Sequence, residues 1–457
     1  MSDDLEALAG RLSRRLAEAQ SKERMPGSSA AVASDGEIVW SEAIGLADVV
    51  AGRAATVDDQ YRIGSITKVI TALCVMQLRD EGRLDLDDPL SAHIAESTHR
   101  GPTIRRMLSH LSGLQREPVG DVWVTMVMPS MADVVASLGD AELVLKPGEE
   151  WHYSNLAFAL LGEIVQRLHG TPYPEVIREH VFEPLGMTRT TWTPQAPQAV
   201  GYMVAPYDDT VTVESEVESE GFGPAGQLWS TPSDLVRLGS FLAKPRGDVL
   251  AAGTVDEMHT VQAMCDPEWT LAWGLGVELR RTKTGFSAGH GGAMPGFLAQ
   301  VLYDRSRGLA VAAASNSGSR NDPAAVAAGM LDDARDELPA AVEGWKPGAP
   351  VPPELAGIPG RWWTEGEEFV FSYRDGHLEA RHADAPPTRR PAVFAADGED
   401  CYRVESGRER GERLVVVRDG QGKVSELRWA GYPVTRCLLY TSPSPRDISG
   451  SRMPSSA

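Results

Sequence analysis

The sequence predicts an α+β protein followed by a small antiparallel β-barrel. Two observations carry this expectation. Strand-like segments occur early and again late in the first three-quarters of the chain, with helical patterns between them, so one sheet is expected to pair early with late strands. Beyond a proline-rich stretch, only short strands and turns remain.

The elements follow in order. "MSDDLEALAGRLSRRLAEAQ" is an amphipathic helix with Leu5, Leu8, Leu12 and Leu16 on one face. "SSAAVASDGEIVWSEAIGLADV" reads as two strands around a turn at Asp35-Gly36. "RIGSITKVI" opens a helix that continues through "TALCVMQLRDEG", with Ile70, Leu73, Cys74 and Leu78 on one face. Residues 100–245 are mostly helical patterns broken by Gly and Pro. Strands return at "WGLGVELRR", "FLAQVLYD" and "GLAVAAASN". The expected organisation is a first domain over 1–336, a Pro-rich linker over 337–351 and a barrel over 352–436. Its strands include "EFVFSYRDGHLEARH", "CYRVES" and "ERLVVVRDGQGKVSELRWAG".

Composition narrows the function classes. The chain has 457 residues, 42% hydrophobic and 24% charged, the balance of a globular protein with a sizeable core. A net charge of −20 argues against nucleic acid or an anionic membrane as partner. Cys74, Cys265, Cys401 and Cys437 fit neither a disulfide framework nor a metal spacing, and the ten histidines form no metal motif, so neither cofactor nor metal is expected. No long apolar run and no signal-peptide pattern occur, which makes a cytoplasmic location the expectation. The oligomeric state is left open.

Three motifs can carry chemistry. Ser65 and Lys68 lie three apart at a helix start, where a lysine in apolar surroundings can lose its proton and activate a serine. Read structurally, the same pair is a helix cap and an outward-reaching lysine. Tyr153-Ser154-Asn155 precedes an apolar helix; Tyr153 can shuttle a proton, and the Asn155 amide can hold Lys68 and a substrate carbonyl. The plain reading is a loop-to-helix junction capped by Asn155. His290-Gly291-Gly292 stands at the start of a strand, where two glycines let backbone approach a ligand. The amides of Ala293 and Ser65 can form an oxyanion hole.

Ser-x-x-Lys, Tyr-x-Asn and His-x-Gly, in this order, resemble the serine β-lactamase and penicillin-binding-protein superfamily. The class C-like branch with family VIII esterases and D-aminopeptidases is the nearest pattern. "TIRRMLSHLSGL", "VFEPLGMTRT", "GPAGQLWSTPSDLVRL" and "WGLGV" add to the resemblance, which covers roughly 25–335. It implies a β-lactamase/transpeptidase-like fold, an antiparallel sheet flanked by a helical region. Ser65 is then the acylated nucleophile, Lys68 or Tyr153 its base, Asn155 an orienting group and His290 the third-motif residue. Ser112 and Trp229 are expected to line the cleft by the same resemblance. The barrel looks like the lipocalin-like domain appended to some D-aminopeptidases, whose loops close over the active-site mouth.

Departures from the family pattern shape the substrate reading. Lys283-Thr284-Gly285 spells the third motif of true β-lactamases, yet sits where a hairpin turn is expected. Ser233-Asp234 runs on into Leu235 and reads as a helix start. A neutral histidine in place of a lysine weakens the case for carboxylate-bearing β-lactams and favours esters, amides, or peptides processed from the amino end. Six acids in the loop over 207–221 (Asp208, Asp209, Glu214, Glu216, Glu218, Glu220) would favour an amine-bearing substrate if near the cleft, and otherwise form a solvated flap. The function expected is that of a serine hydrolase acting through an acyl-enzyme on a small ester, amide or short peptide. The alternatives are a β-lactamase or D-Ala-D-Ala carboxypeptidase, and a non-catalytic binding or sensor protein.

The last segment, 437–457, breaks the strand pattern. "CLLYTSPSPRD…RMPSSA" resembles the translation of a sequencing-library adapter, so it is expected to be disordered and foreign to the fold.

Overall fold

A computed structural model describes residues 3–318, 321–338, 345–386 and 389–437. The chain divides into two compact units at residue 340. Part of the expected linker, 339–344, and nearly all of the expected tail, 438–457, lie outside the described residues.

The first unit is built on a nine-stranded sheet. Its strands are β1 (Gly27–Ser34), β2 (Glu37–Asp48), β3 (Arg53–Ala54), β4 (Ala263–Met264), β5 (Leu271–Trp273), β6 (Glu278–Thr282), β7 (Gly285–Met294), β8 (Phe297–Asp304) and β9 (Leu309–Ser315). The order across the sheet is β3-β2-β1-β9-β8-β7-β6-β5-β4. β1 pairs antiparallel with β9, Ala31 opposite Ala312, so the ends of the unit meet in mid-sheet. The Asp35-Gly36 turn between β1 and β2 takes positive φ at both residues, 51° and 90°, the conformation a two-residue hairpin needs.

Alternation along the strands sorts the core. Ala30 and Val32 face a layer made by α1 (Asp3–Lys22), through Leu8, Leu12 and Leu16, and by a late helix. Leu5 is only partly buried. Ala31 and Ala33 face the larger core, which contains most of the helical region. The helices that position the site are α2 (Thr67–Asp80), α3 (Ile104–Leu108), α4 (Asn155–His169), α5 (Pro232–Ala243) and α6 (Pro323–Glu337). α6 is the late helix packed beside α1.

Helix α2 is buried from Thr67 through Met76, not along one stripe. The face Ile70, Leu73, Cys74 and Leu78 is therefore part of a helix wrapped on all sides, which explains why its sequence is apolar nearly throughout.

The second unit is an eight-stranded antiparallel barrel in sequence order. Its strands are β10 (Gly360–Thr364), β11 (Glu367–Arg374), β12 (His377–His382), β13 (Ala392–Ala396), β14 (Cys401–Val404), β15 (Arg413–Arg418), β16 (Val424–Trp429) and β17 (Tyr432–Val434). The backbones of Trp363 and Thr435 exchange hydrogen bonds of 2.8 and 2.9 Å, which nearly closes the barrel. Trp362, Phe371, Phe394 and Trp429 fill its interior. β10 and β13 lie outside the strand segments that the sequence singled out. Among the described residues, no helix is long and apolar enough to cross a membrane.

Candidate active site

Ser65 sits in a single 3₁₀ turn, Gly64–Ile66, that leads directly into α2. It is thus one turn ahead of the α-helix rather than at its cap. Two glycines make this position possible. Gly64 has φ +49°, and a Cβ on it would stand 2.6 Å from the Ala293 nitrogen. A Cβ on Gly292 would stand 1.8 Å from the Ile63 carbonyl oxygen and 3.1 Å from the Ser65 nitrogen. The close approach expected of Gly292 is therefore made toward the backbone carrying Ser65.

Lys68 follows on α2 and is fully buried. Its Nζ lies 3.0 Å from Ser65 Oγ and donates to the Ala225 carbonyl at 2.7 Å. Burial holds its pKa well below the usual lysine value; Glu117 opposes that shift and Arg116 adds to it. The outward-reaching alternative is excluded.

Tyr153 stands on the loop before α4, its ring centroid 4.9 Å from Lys68 Nζ. Tyr153 lines the same cleft as Ser65, and burial raises the pKa of its phenol. The N-cap of α4 is Ser154, whose side chain accepts from the Ala157 N–H at 3.0 Å, so Asn155 is not the cap. Nor does Asn155 hold Lys68: its Nδ2 donates to Glu117 Oε1 at 2.8 Å, and its buried Oδ1 has no partner.

His290 lies inside β7, not at the start of a strand. It is buried, and its pKa is lowered to about 3, first by burial and then by Lys68. Nδ1 lies 2.5 Å from the Gly291 carbonyl, which leaves Nε2 as a buried acceptor without a partner. A neutral imidazole thus occupies the third-motif position.

A cleft of about 840 Å³ brings Ser65, Tyr153, Asn155, His290, Gly291, Gly292 and Ala293 together. Two expected lining residues are absent from it. Ser112 is fully buried, with its Oγ accepting from the Leu114 N–H. Trp229 is held in the core, edge-on to Phe297 at 5.3 Å. The acidic loop also stays away: Glu218 accepts from Gln227 instead, and part of the loop pairs as a short hairpin, Tyr202–Val204 with Val211–Val213. None of its six acids lines the cleft.

The acids at the cleft are Glu117, Glu278 and Asp322, the N-cap of α6, all of which the sequence reading passed over. Glu117 directly follows the "SHLSGLQR" segment, and Glu278 follows "WGLGV", so both stand beside stretches that carried the resemblance. Each is matched by a cleft arginine: Arg116 lies 3.4 Å from Glu117, and Arg280 contacts Glu278. Glu117 Oε2 is buried without a partner. Trp151, Trp273, Trp123 and Phe222 give the walls their apolar area. Lys283 and Thr284 form the β6–β7 hairpin turn, closed by Gly285 at φ +141°, and Ser233-Asp234 lie in the first turn of α5, which Thr231 caps, so neither segment lines the cleft. Among the described residues, no group of three or more His, Cys, Asp or Glu is placed to hold a metal ion.

A serine within reach of a buried lysine and a tyrosine, on this sheet-and-helix framework, defines the class: a serine hydrolase. Residues 12–335 match the Beta-lactamase family, and the chain belongs to it. Residues 351–436 match a domain of unknown function, DUF7586.

Esterase EstB of Burkholderia gladioli is 31% identical over 329 residues, 66% of this chain and 82% of that protein. Protein flp of Staphylococcus aureus is 31% identical over 222 residues, 46% of this chain; the chain spans only 43% of its length. Among solved structures, D-amino acid amidase from Ochrobactrum anthropi SV3 superposes with a TM-score of 0.61 at 25% identity, covering 74% of this chain and 99% of that one. The octameric penicillin-binding protein homologue from Pyrococcus abyssi shares the fold, with a TM-score of 0.65 at 22% identity over 93% of this chain and 99% of its own.

Proposed function

We propose that this chain hydrolyses small esters or amides through an acyl-enzyme on Ser65, in the manner of an esterase or D-aminopeptidase. The observation that carries the reading is the 3.0 Å approach of a fully buried Lys68 to Ser65 Oγ. Burial depresses the lysine pKa and so favours the neutral amine, and it raises the tyrosine pKa and so keeps the phenol protonated. Lys68 is therefore the base and Tyr153 the proton carrier. Ser65 Oγ attacks the carbonyl carbon as its proton passes to Lys68 Nζ. The Ser65 and Ala293 amides receive the oxyanion. The proton travels through Tyr153 to the departing alkoxide or amine as the scissile bond breaks. Water then attacks the acyl-enzyme and gives its proton to Lys68, which passes it to Ser65 Oγ as the acyl bond breaks, releasing the acid and restoring both groups.

Two features support the substrate class. His290 is uncharged and both cleft arginines are matched by glutamates, so no unpaired cation waits for the carboxylate of a β-lactam or a C-terminal D-Ala peptide. Glu117 Oε2 is an acceptor without a donor beside the site, which suits the ammonium of an amino-acid ester or amide. The test is hydrolysis of p-nitrophenyl butyrate and of D-amino-acid p-nitroanilides by the wild type and Ser65→Ala, with intact-mass detection of the acyl adduct. Turnover surviving in Ser65→Ala rules the reading out.

A further inference from the structure

Helix α3 ends in a turn in which the Leu111 N–H donates to the Arg106 carbonyl at 2.7 Å and the His110 N–H to the Met107 carbonyl at 3.3 Å. The residue closing such a turn adopts the left-handed conformation, where glycine is usual. Here it is His110, at φ +57°. A side chain at that position costs free energy that glycine avoids. A second cost is its buried Nε2, which has no hydrogen-bond partner. Both costs point to a use for the ring.

The ring is completely buried and stacks on Tyr153, with centroids 4.3 Å apart and planes 29° from parallel. Trp273 and Phe158 brace it at 4.8 and 5.1 Å. Nδ1 accepts the Ser154 N–H at 3.1 Å, and the His110 carbonyl accepts the His152 N–H at 2.8 Å. One residue therefore holds the peptide on both sides of Tyr153 and one face of its ring. An accepting Nδ1 puts the proton of the neutral imidazole on Nε2. His110 does not line the cleft, so whatever it does for the reaction passes through Tyr153.

We propose that His110 is the positioning residue that aims the Tyr153 phenol at Ser65, with the strained turn retained because this ring stacks on the tyrosine while its Nδ1 holds the next peptide N–H. The inference rests on the serine-hydrolase reading with Tyr153 as proton carrier. A misaimed proton carrier slows acylation without changing how substrate docks, so the loss falls on kcat rather than KM.

The test uses the full-length chain with p-nitrophenyl butyrate, and counts functional sites by the acylation burst so that misfolded protein is excluded. His110→Gly relaxes the turn and removes both clamps. Its kcat per titrated site is expected to fall roughly 10- to 100-fold, with KM within about twofold. His110→Asn tolerates the left-handed backbone and returns an acceptor for the Ser154 N–H, but not the stacked ring. It is expected to recover part of that loss while staying roughly 3- to 10-fold below wild type. Wild-type kcat in either variant overturns the proposal, even if its melting temperature drops, because the role would then be structural only. A rise in KM that accounts for the loss also overturns it. Ser65→Ala is run alongside: if it remains active, the hydrolase reading fails and takes this proposal with it, whereas an inactive Ser65→Ala beside fully active His110 variants overturns the proposal alone.

Discussion

Gly292 meets Ile63 so closely that a Cβ on the glycine would stand 1.8 Å from the Ile63 carbonyl oxygen. This contact fixes the turn bearing Ser65 against β7, and with it the separation of the Ser65 and Ala293 amides. Gly292→Ala is expected to push the turn away and lower kcat/KM by roughly 100-fold, since small displacements of reacting groups are that costly. Far-ultraviolet circular dichroism should remain that of the wild type, and turnover within a few-fold of wild type would show that the contact does not set the site.

Lys68 makes a prediction about pH and stability together. Its folded pKa lies below the unfolded value, so between the two the unfolded chain binds one more proton. The stability of the wild type then rises as pH rises toward the unfolded value of about 10.4. Lys68→Met removes that linkage. The melting temperature of wild type relative to Lys68→Met should therefore shift in favour of wild type from pH 7 to pH 10. Activity of the variant should fall by roughly 1,000-fold or more, because base and proton route vanish together. A constant gap in melting temperature would mean that Lys68 is not neutral in the folded protein.

Glu117 should discriminate between substrates. Glu117→Gln keeps the size of the side chain but removes its charge, so kcat/KM for a D-amino-acid anilide is expected to drop roughly 10- to 100-fold more than that for p-nitrophenyl butyrate. Equal losses on both substrates would assign Glu117 to holding Asn155 and not to receiving an amine.

Lys283 should be dispensable. It stands exposed in the β6–β7 turn, and its neighbours Thr282 and Thr284 bond each other at 2.9 Å. Lys283→Ala is expected to leave kcat/KM for p-nitrophenyl butyrate within about twofold of wild type, as surface changes usually do. A larger fall would return the Lys-Thr-Gly segment to the site.

Local pattern made much of the architecture legible. Short apolar runs bounded by turn residues expose β1, β8 and β9, and Asp-Gly turns expose hairpins in both units, because these signals arise from neighbours along the chain. β10 and β13 escaped because "GRWWT" and "PAVFAAD" are short and carry little alternation. Their pairing is decided by the strands beside them. The one-face reading of α2 fell short for the same reason. Its surroundings come from distant segments such as the one that carries Ala225.

The α+β plan, the barrel, and the spacing of Ser65 and Lys68 within one helical turn are all written in local pattern. What each of those groups faces came from the packing of distant segments. It brought Glu117 to the cleft, kept Glu218 with Gln227, buried Ser112 and Trp229 in the core, and gave Asn155 to Glu117 instead of Lys68. The reason is physical: an acid-rich loop or a lone serine carries no local signal of its neighbours. The field at a site comes from side chains that chain topology brings together from remote positions, with burial then setting their charge.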